Sequence, residues 1–556
     1  MGRRSTSKTT NEIVPARRRW LTQVTALAST TALPLSLANA WGKSASTMQS
    51  TARIALIIGN SDYAQAPLKS PASDAQALGD ALRNMGFEVS VALNANRMQL
   101  LDAIREFTGE LTRNHGVGFF YYAGHSAQHA SRNYLIPVDA TVRKLDELPA
   151  HAVELNSLLQ GLSAAGNAMN VIVLDASRDK PFGDNVRIAQ KGLAQFDAPP
   201  GALIAYSTAP GKTIADNRIY ATSLLREMAG TESSIEDVFK RVRLSVRRET
   251  KGRQVPWQSA ALDQDMYVGS VAQNKKLSRR ERERQFDSDR QSWEKVRLSK
   301  DPAELEDYLR CHPSGKFCEL GQARLDRLLA TRHEGLAPAA VAALALTSIA
   351  PNPFSRGTIR ADASFTPGDS YTYRRIDAIS KAPHGQFTET VTGVANNSVT
   401  LNSGAKVIDF SGNELKSATA GSSTAQFFPA EYAIGRKWTT RFDWANEGPI
   451  EVSLRIVGKE TISVPAGTFD VFKIEGEGEQ LGLGGGRWKH VSWVAPEISR
   501  RPVAMETIIE NHGRRLVAER CELTGFRQSI SPAPDAARLT AQMNQRLALN
   551  KRVLAA

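Results

Sequence analysis

The chain reads as a multidomain protein. An α/β domain on a mostly parallel sheet with flanking helices comes first, then a small α-helical region, then a mainly-β domain. Three observations predict this. Over residues 50–270 short, wholly apolar strands alternate with amphipathic stretches, the pattern of a parallel sheet covered on both faces. Residues 272–334 become charged and helical, with a break at His312-Pro313-Ser314-Gly315. From Gly368 to about Arg527, alternating runs separated by Gly, Asn and Asp clusters read as strands.

In order, Arg53–Ile58 is a predicted strand, Asp74–Met85 a helix, Phe87–Leu93 a strand and Met98–Leu111 a helix. Val117–Ala123 is a strand, Leu155–Leu162 a helix, Val171–Leu174 and Ala202–Tyr206 strands, and Ile235–Arg248 a helix. Lys275–Gln285 (KKLSRRERERQ) is a solvated helix or linker face, and Trp293–Leu329 reads as two or three short helices. Residues 335–365, rich in Ala, Pro and Ser, read as a linker whose apolar run Ala339–Ala350 is too short to span a membrane. Strands of the 366–530 domain include Tyr371–Ile376, Gln386–Val391, Ile450–Val457, Phe469–Glu475 and Val503–Ile509, and residues 531–556 read as a terminal helix.

The N-terminus carries an address. Arg3, Arg4, Lys8 and Arg17–Arg19 precede the mildly apolar stretch Leu21–Leu37, and Ala38-Asn39-Ala40 supplies a small-x-small cleavage pattern. ARRRWL (Ala16–Leu21) is similar to a twin-arginine export signal. The expectation is an exported, periplasmic protein with residues 1–40 removed and no transmembrane segment left. Cleavage after Ala40 takes away six basic residues and one acid, lowering the net charge from +13 to +8. That balance does not describe a dedicated nucleic-acid binder. Cys311, Cys318 and Cys521 are the only cysteines. The first two flank HPSGKF and are spaced for a disulfide; three buried free thiols fit the sequence equally well.

Two segments carry the candidate chemistry: VGFFYYAGH (Val117–His125) and VIVLDASRDKPF (Val171–Phe182). With RIALIIGNSDY (Arg53–Tyr63), LKSPASDA (Leu68–Ala75), NYLIPVDA (Asn133–Ala140) and AYSTAPG (Ala205–Gly211), they resemble, in order, the caspase and metacaspase clan of cysteine peptidases. The resemblance covers roughly residues 50–270 and implies a caspase fold. It makes His125 the catalytic histidine and puts Ser177 where the clan has its cysteine. The oxyanion donors fall at the amides of Ser177 and Ser126, the latter replacing a glycine. Asp74 and Asp175 match the acids that bind an Arg or Lys side chain before the scissile bond. Trp293–Leu329 is likewise similar to a helical hairpin found behind bacterial caspase-like domains, and VPAGTFDVFKIE (Val464–Glu475) looks like part of an envelope-protein β domain.

The residues by themselves agree with a site. His125 and Ser177 both follow the C-terminal ends of predicted strands, the edge where open parallel sheets collect catalytic groups. Plainer roles exist for each: a satisfied buried histidine at 125, a helix cap at Asp74, a turn-stabilising acid at Asp175. A thiol has a pKa of about 8.5, whereas a hydroxyl needs a base held by a third group, and no side chain is an evident orienter for His125. The loop Ile214–Leu225 (IADNRIYATSLL) also lacks the D-G-x-G-x-N-S-x-F/Y pattern of active relatives. The expected function is therefore an inactive pseudopeptidase that binds a peptide or protein through a basic side chain, with no cofactor and no metal. The alternatives are an endopeptidase cleaving after Arg or Lys with a residual Ser177/His125 dyad, and a structural envelope protein acting through residues 368–527.

Overall fold

Wholly buried apolar runs make the central strands. The computed structural model describes residues 52–333 and 352–529, apart from 184–185, 187, 189, 230–232, 263–264, 268–277, 356, 396–397, 418–420, 423–424, 444–448, 482–485 and 512. The export segment at 1–40, the first half of the 335–365 linker and the helix expected at 531–556 therefore lie outside the described residues.

The first strands and helices are β1 (Arg53–Gly59), α1 (Pro71–Asn84), β2 (Glu88–Leu93), α2 (Arg97–Asn114) and β3 (Val117–Ala123). Next come β4 (Ser126–His129), β5 (Arg132–Leu135), α3 (Leu148–His151), β6 (Val153–Glu154), α4 (Leu155–Ala165) and β7 (Met169–Asp175). The domain ends with β8 (Ala202–Tyr206), α5 (Ile219–Met228), α6 (Ile235–Glu249) and β9 (Trp257–Ala260). Six strands form one sheet in the order β2-β1-β3-β7-β8-β9. All neighbours are parallel except β8 and β9, which pair antiparallel, so the sheet is mixed at one edge.

Alternation sends Phe120, Tyr122, Ile172 and Leu174 into a core with Leu100 of α2 and Leu158 of α4. Phe119, Tyr121, Val171 and Val173 face the other way, against Leu78 of α1, Leu224 of α5 and Val242 of α6. Helix α1 starts at Pro71, three residues before the expected Asp74, because proline suits a first turn whose N–H groups lack partners. Asp74 thus sits inside that turn, with its own N–H bonded to Ser70 O. A small antiparallel sheet, β4-β5-β6, hangs off the C-terminal side; its strands of four, four and two residues are too short for a period-two signal.

The charged run continues into one helix, α7 (Arg279–Val296), started by a Ser278/Glu281 capping box. Helices α8 (Pro302–Cys311) and α9 (Cys318–His333) follow. Trp293, Leu305, Tyr308, Leu309, Phe317 and Leu325 cluster with Leu244 of α6. The disulfide that spacing allowed is not formed. Cys318 is buried in this cluster while Cys311 is exposed, and both are free thiols, as is Cys521.

The C-terminal region is a 12-stranded antiparallel sheet whose longest strands are Pro449–Val464 and Gly467–Gln480. The described part of the stretch expected to be a linker, from Asn352 on, is tied to the α/β domain and to the β region. Phe354 stacks on Phe196 with centroids 4.6 Å apart, Asn352 donates to Gln195 O at 2.7 Å, and Ile359–Arg360 pairs with Glu431–Tyr432. A Phe just after Pro353 carries enough apolar surface to dock where composition suggested a spacer. Arg436 donates to both carboxylate oxygens of Glu319 on α9, at 2.9 and 2.8 Å, and Lys437 Nζ donates to Leu262 O.

Gly435, at φ +89°, makes the closest approach: an added Cβ would lie 2.0 Å from Ala260 O on β9. Gly435→Ala is expected to destabilise the protein by about 2 kcal/mol, from left-handed strain and overpacking together. Calorimetry should show a lower first transition and a separate later one for the two sheets; an unchanged single transition would mean this contact does not couple them.

Candidate functional site

Register builds the site. Ala123, the last residue of β3, pairs with Asp175, the last of β7. His125 and Ser177 each follow two residues later, so both emerge side by side at the C-terminal edge. Between Ala123 and His125 the chain turns on Gly124 at φ +157°, where a Cβ would sit 2.6 Å from Tyr63 Oη and 2.9 Å from Tyr122 Oη. Those two hydroxyls clamp the turn. The His125 N–H donates to Tyr63 Oη at 2.9 Å, and Tyr122 Oη donates to His125 O at 2.8 Å.

The imidazole is buried, 1% exposed, edge-on to the Tyr63 ring at 4.5 Å. Its Nε2 lies 2.7 Å from Ala66 O. A carbonyl only accepts, so Nε2 carries the proton and Nδ1 is the bare acceptor. Nδ1 is buried with no partner. Burial is the main cause that lowers the His125 pKa to about 4, with nearby Arg178 adding to it; the Ala66 bond and Asp216 oppose. The orienting group that no side chain offered is thus a backbone carbonyl, which leaves no trace in residue identity.

Ser177 is 2% exposed, and its carbonyl accepts from Ile214 N at 2.8 Å. Among the described residues no hydrogen bond joins it to His125, whose Nδ1 stands unpaired. Ser126 is the first residue of β4, paired with Leu135, and its Oγ donates to Ala176 O. The hydroxyl at 126 therefore ties the histidine turn to the residue before Ser177.

The two acids come together from different elements. Asp175 lies on the sheet face of Tyr121 and Val173, the face against which α1 packs and to which Asp74 belongs. Asp74 Oδ1 accepts from Arg218 Nε at 2.6 Å, and Asp175 Oδ1 from Arg178 Nη1 at 3.1 Å. The second contact spans the turn after β7, so Asp175 does serve its turn; Asp74 is no helix cap. Burial raises the Asp74 pKa, the Arg218 hydrogen bond and charge lower it, and the neighbouring Asp175 raises it again. Each acid keeps one buried oxygen without a partner, as do Tyr121 Oη, Tyr220 Oη, and Nε and Nη2 of Arg178.

Residue-type reasoning passed over Arg178 and Arg218, although Arg178 stood in the quoted string beside Ser177. It also passed over Asp216, which accepts from Lys69 N at 2.6 Å and Ser70 Oγ at 2.7 Å and so pins its loop to the start of α1. A cavity of about 280 Å³ opens beside the site, lined in part by Ser126, Arg178, Lys180, Lys191 and Thr213. Among the described residues no group of three or more His, Cys, Asp or Glu is placed to hold a metal ion, and no helix is long and apolar enough to cross a membrane.

Comparison with known proteins places this region. Residues 52–267 match the family model for the caspase domain. The human mucosa-associated lymphoid tissue lymphoma translocation protein 1 is 28% identical over 162 residues, 29% of this chain and 19% of that protein. Its mouse homologue is 28% identical over the same length, 18% of that protein. The chain thus spans about a fifth of the length of these relatives. Among solved structures, the Drosophila initiator caspase Dronc is similar at 14% identity and TM-score 0.31, over 40% of this chain and 86% of that one. Residues 52–267 are a caspase-like domain.

The imidazole leaves a measurable mark on stability. Its folded pKa of about 4 lies below the ordinary 6.5, so between these values the unfolded chain binds the extra proton. Stability is lost as pH falls through that window. Relative to His125→Gln, the wild type should lose about 2–3 kcal/mol more between pH 7.5 and 4, measured by urea unfolding at each pH. Parallel pH profiles would show that His125 is not held neutral.

Proposed function

We propose that this chain is an exported caspase-like protein whose cleft binds a peptide or protein segment in the cell envelope without hydrolysing it. An unpaired Nδ1 on His125, with a serine rather than a cysteine at 177, carries this reading. Ser177 stands where the resemblance puts a cysteine. A thiol of pKa about 8.5 is partly ionised at neutral pH and needs little help. A hydroxyl needs a base matched to the working pH, and an imidazole pushed to about 4 is a weak one. Asp74 and Asp175 are then the contacts for a basic side chain of the ligand, and the export segment delivers the protein to the periplasm.

One observation favours a second reading, a residual Ser177/His125 endopeptidase cleaving after Arg or Lys. Ala66 O fixes the tautomer in which Nδ1 can accept a proton, the positioning a hydrolytic dyad requires. Removing a nucleophile from an assembled serine-protease site costs on the order of 10⁶ in turnover, so the two readings differ widely in rate.

Purified full-length protein incubated with Arg- and Lys-containing peptides should show no turnover above background, while Ser177→Cys gains cleavage that a thiol alkylator abolishes. Wild-type cleavage lost on Ser177→Ala would establish the hydrolase instead. If replacing His125, Asp74 and Asp175 leaves the cellular phenotype untouched, the protein acts through its β region as a structural component.

A further inference from the structure

We propose that Arg218 is a displaceable internal ligand of the acidic pocket, holding on Asp74 the place that a guanidinium or ammonium group of a bound partner takes. This rests on the reading of Asp74 and Asp175 as a ligand pocket, and it adds what controls access to it.

The two guanidiniums on the two acids are not equivalent. The Arg178 side chain is 2% exposed and sealed against Asp175, whereas that of Arg218 is 56% exposed while its partner Asp74 is 2% exposed. Withdrawing Arg178 would strand a buried charge on each side. Withdrawing Arg218 returns a guanidinium already half in water to water, and leaves only the carboxylate in need of a new partner. A cation from outside supplies that partner and preserves the balance of two acids against two cations.

The pocket can bind more than it now holds. Asp74 Oδ2, Asp175 Oδ2, Tyr121 Oη and Tyr220 Oη are buried without partners. Burial first, then the neighbouring Asp175 and Asp74, holds the Tyr121 hydroxyl well above its ordinary pKa, against the opposing pull of Arg178, so it stays a neutral hydroxyl beside the acids. These four oxygens can accept and have no donor, while Arg218 engages Asp74 through a single Nε. A guanidinium carries five donors in a planar fork and can use acceptors that Arg218 leaves untouched.

Opening requires only a side-chain movement. Arg218 precedes α5 on a segment fixed at two points, by Ile214 N on Ser177 O and by Asp216 on Lys69 N and Ser70 Oγ. The backbone can stay in place while the exposed side chain rotates out.

Agmatine, a guanidinium on a short flexible chain, is the probe. Its binding to the full chain is measured by calorimetry at low salt for wild type, Arg218→Ala, Arg218→Gln, Asp74→Asn and Arg218→Ala/Asp74→Asn, with thermal melts confirming that each folds. If Arg218 is out about one time in ten, removing it tightens binding about tenfold. Arg218→Gln, which keeps the stem without the charge, should follow Arg218→Ala, and the double variant should lose the gain. Equal binding by wild type and Arg218→Ala, with both lost on Asp74→Asn, overturns the internal ligand but keeps the pocket. No binding by any folded variant, or binding indifferent to Asp74, overturns the pocket and the internal ligand together.

Discussion

Parallel pairing of β3 with β7 in a single register governs the cleft. Because Ala123 lies opposite Asp175, two chain turns begin at the same height and present His125 and Ser177 to the same space. Slipping the pair by one residue would send Asp175 to the opposite face, away from α1 and Asp74. The apolar runs on both sides of these strands make such a slip costly, since every side chain would have to exchange cores. The precision of the site is thus set by burial several residues away from it.

What that framework positions is a cluster of buried polar groups. An imidazole nitrogen, two carboxylate oxygens, two tyrosine hydroxyls and part of a guanidinium are buried and unpaired within one neighbourhood. Leaving such a group unsatisfied costs about 1–3 kcal/mol, so a fold keeps them together only where something else is gained. The groups also act on one another. Arg178 lowers the pKa of His125 and opposes the rise at Asp74, so the histidine and the acid pocket share one electrostatic field. On the proposed reading, a neutral imidazole beside the paired acids suits recognition of a cation better than proton transfer from a hydroxyl.

The helices and the large sheet are not appended loosely. Leu244 of α6 enters the core of α7–α9, Glu319 of α9 grips Arg436, and Gly435 rests on β9 at the antiparallel edge of the parallel sheet. An exposed edge strand is a template for unwanted pairing, and covering it is a common remedy. Here the cover comes from the same chain.

Much of this was written in local pattern. Apolar runs of strand length, separated by amphipathic stretches, determined the central strands; Val117–Ala123 and Ala202–Tyr206 match residue for residue because burial on both faces leaves no ambiguous ends. The same strings placed His125 and Ser177 just past the ends of β3 and β7, where Asp175 closes β7, while Asp74 comes from α1. Hidden from the sequence were interactions in which identity carries no signal. Ala66 orients the histidine through its carbonyl, which any residue possesses. Arg218 meets Asp74 across 144 positions of chain, and Cys318 turns inward while Cys311, seven residues earlier, stays outside. Phe354 docks on Phe196 although its surroundings have the composition of a spacer. Local periodicity records which side of an element is buried; which distant partner meets it is decided only when the layers close.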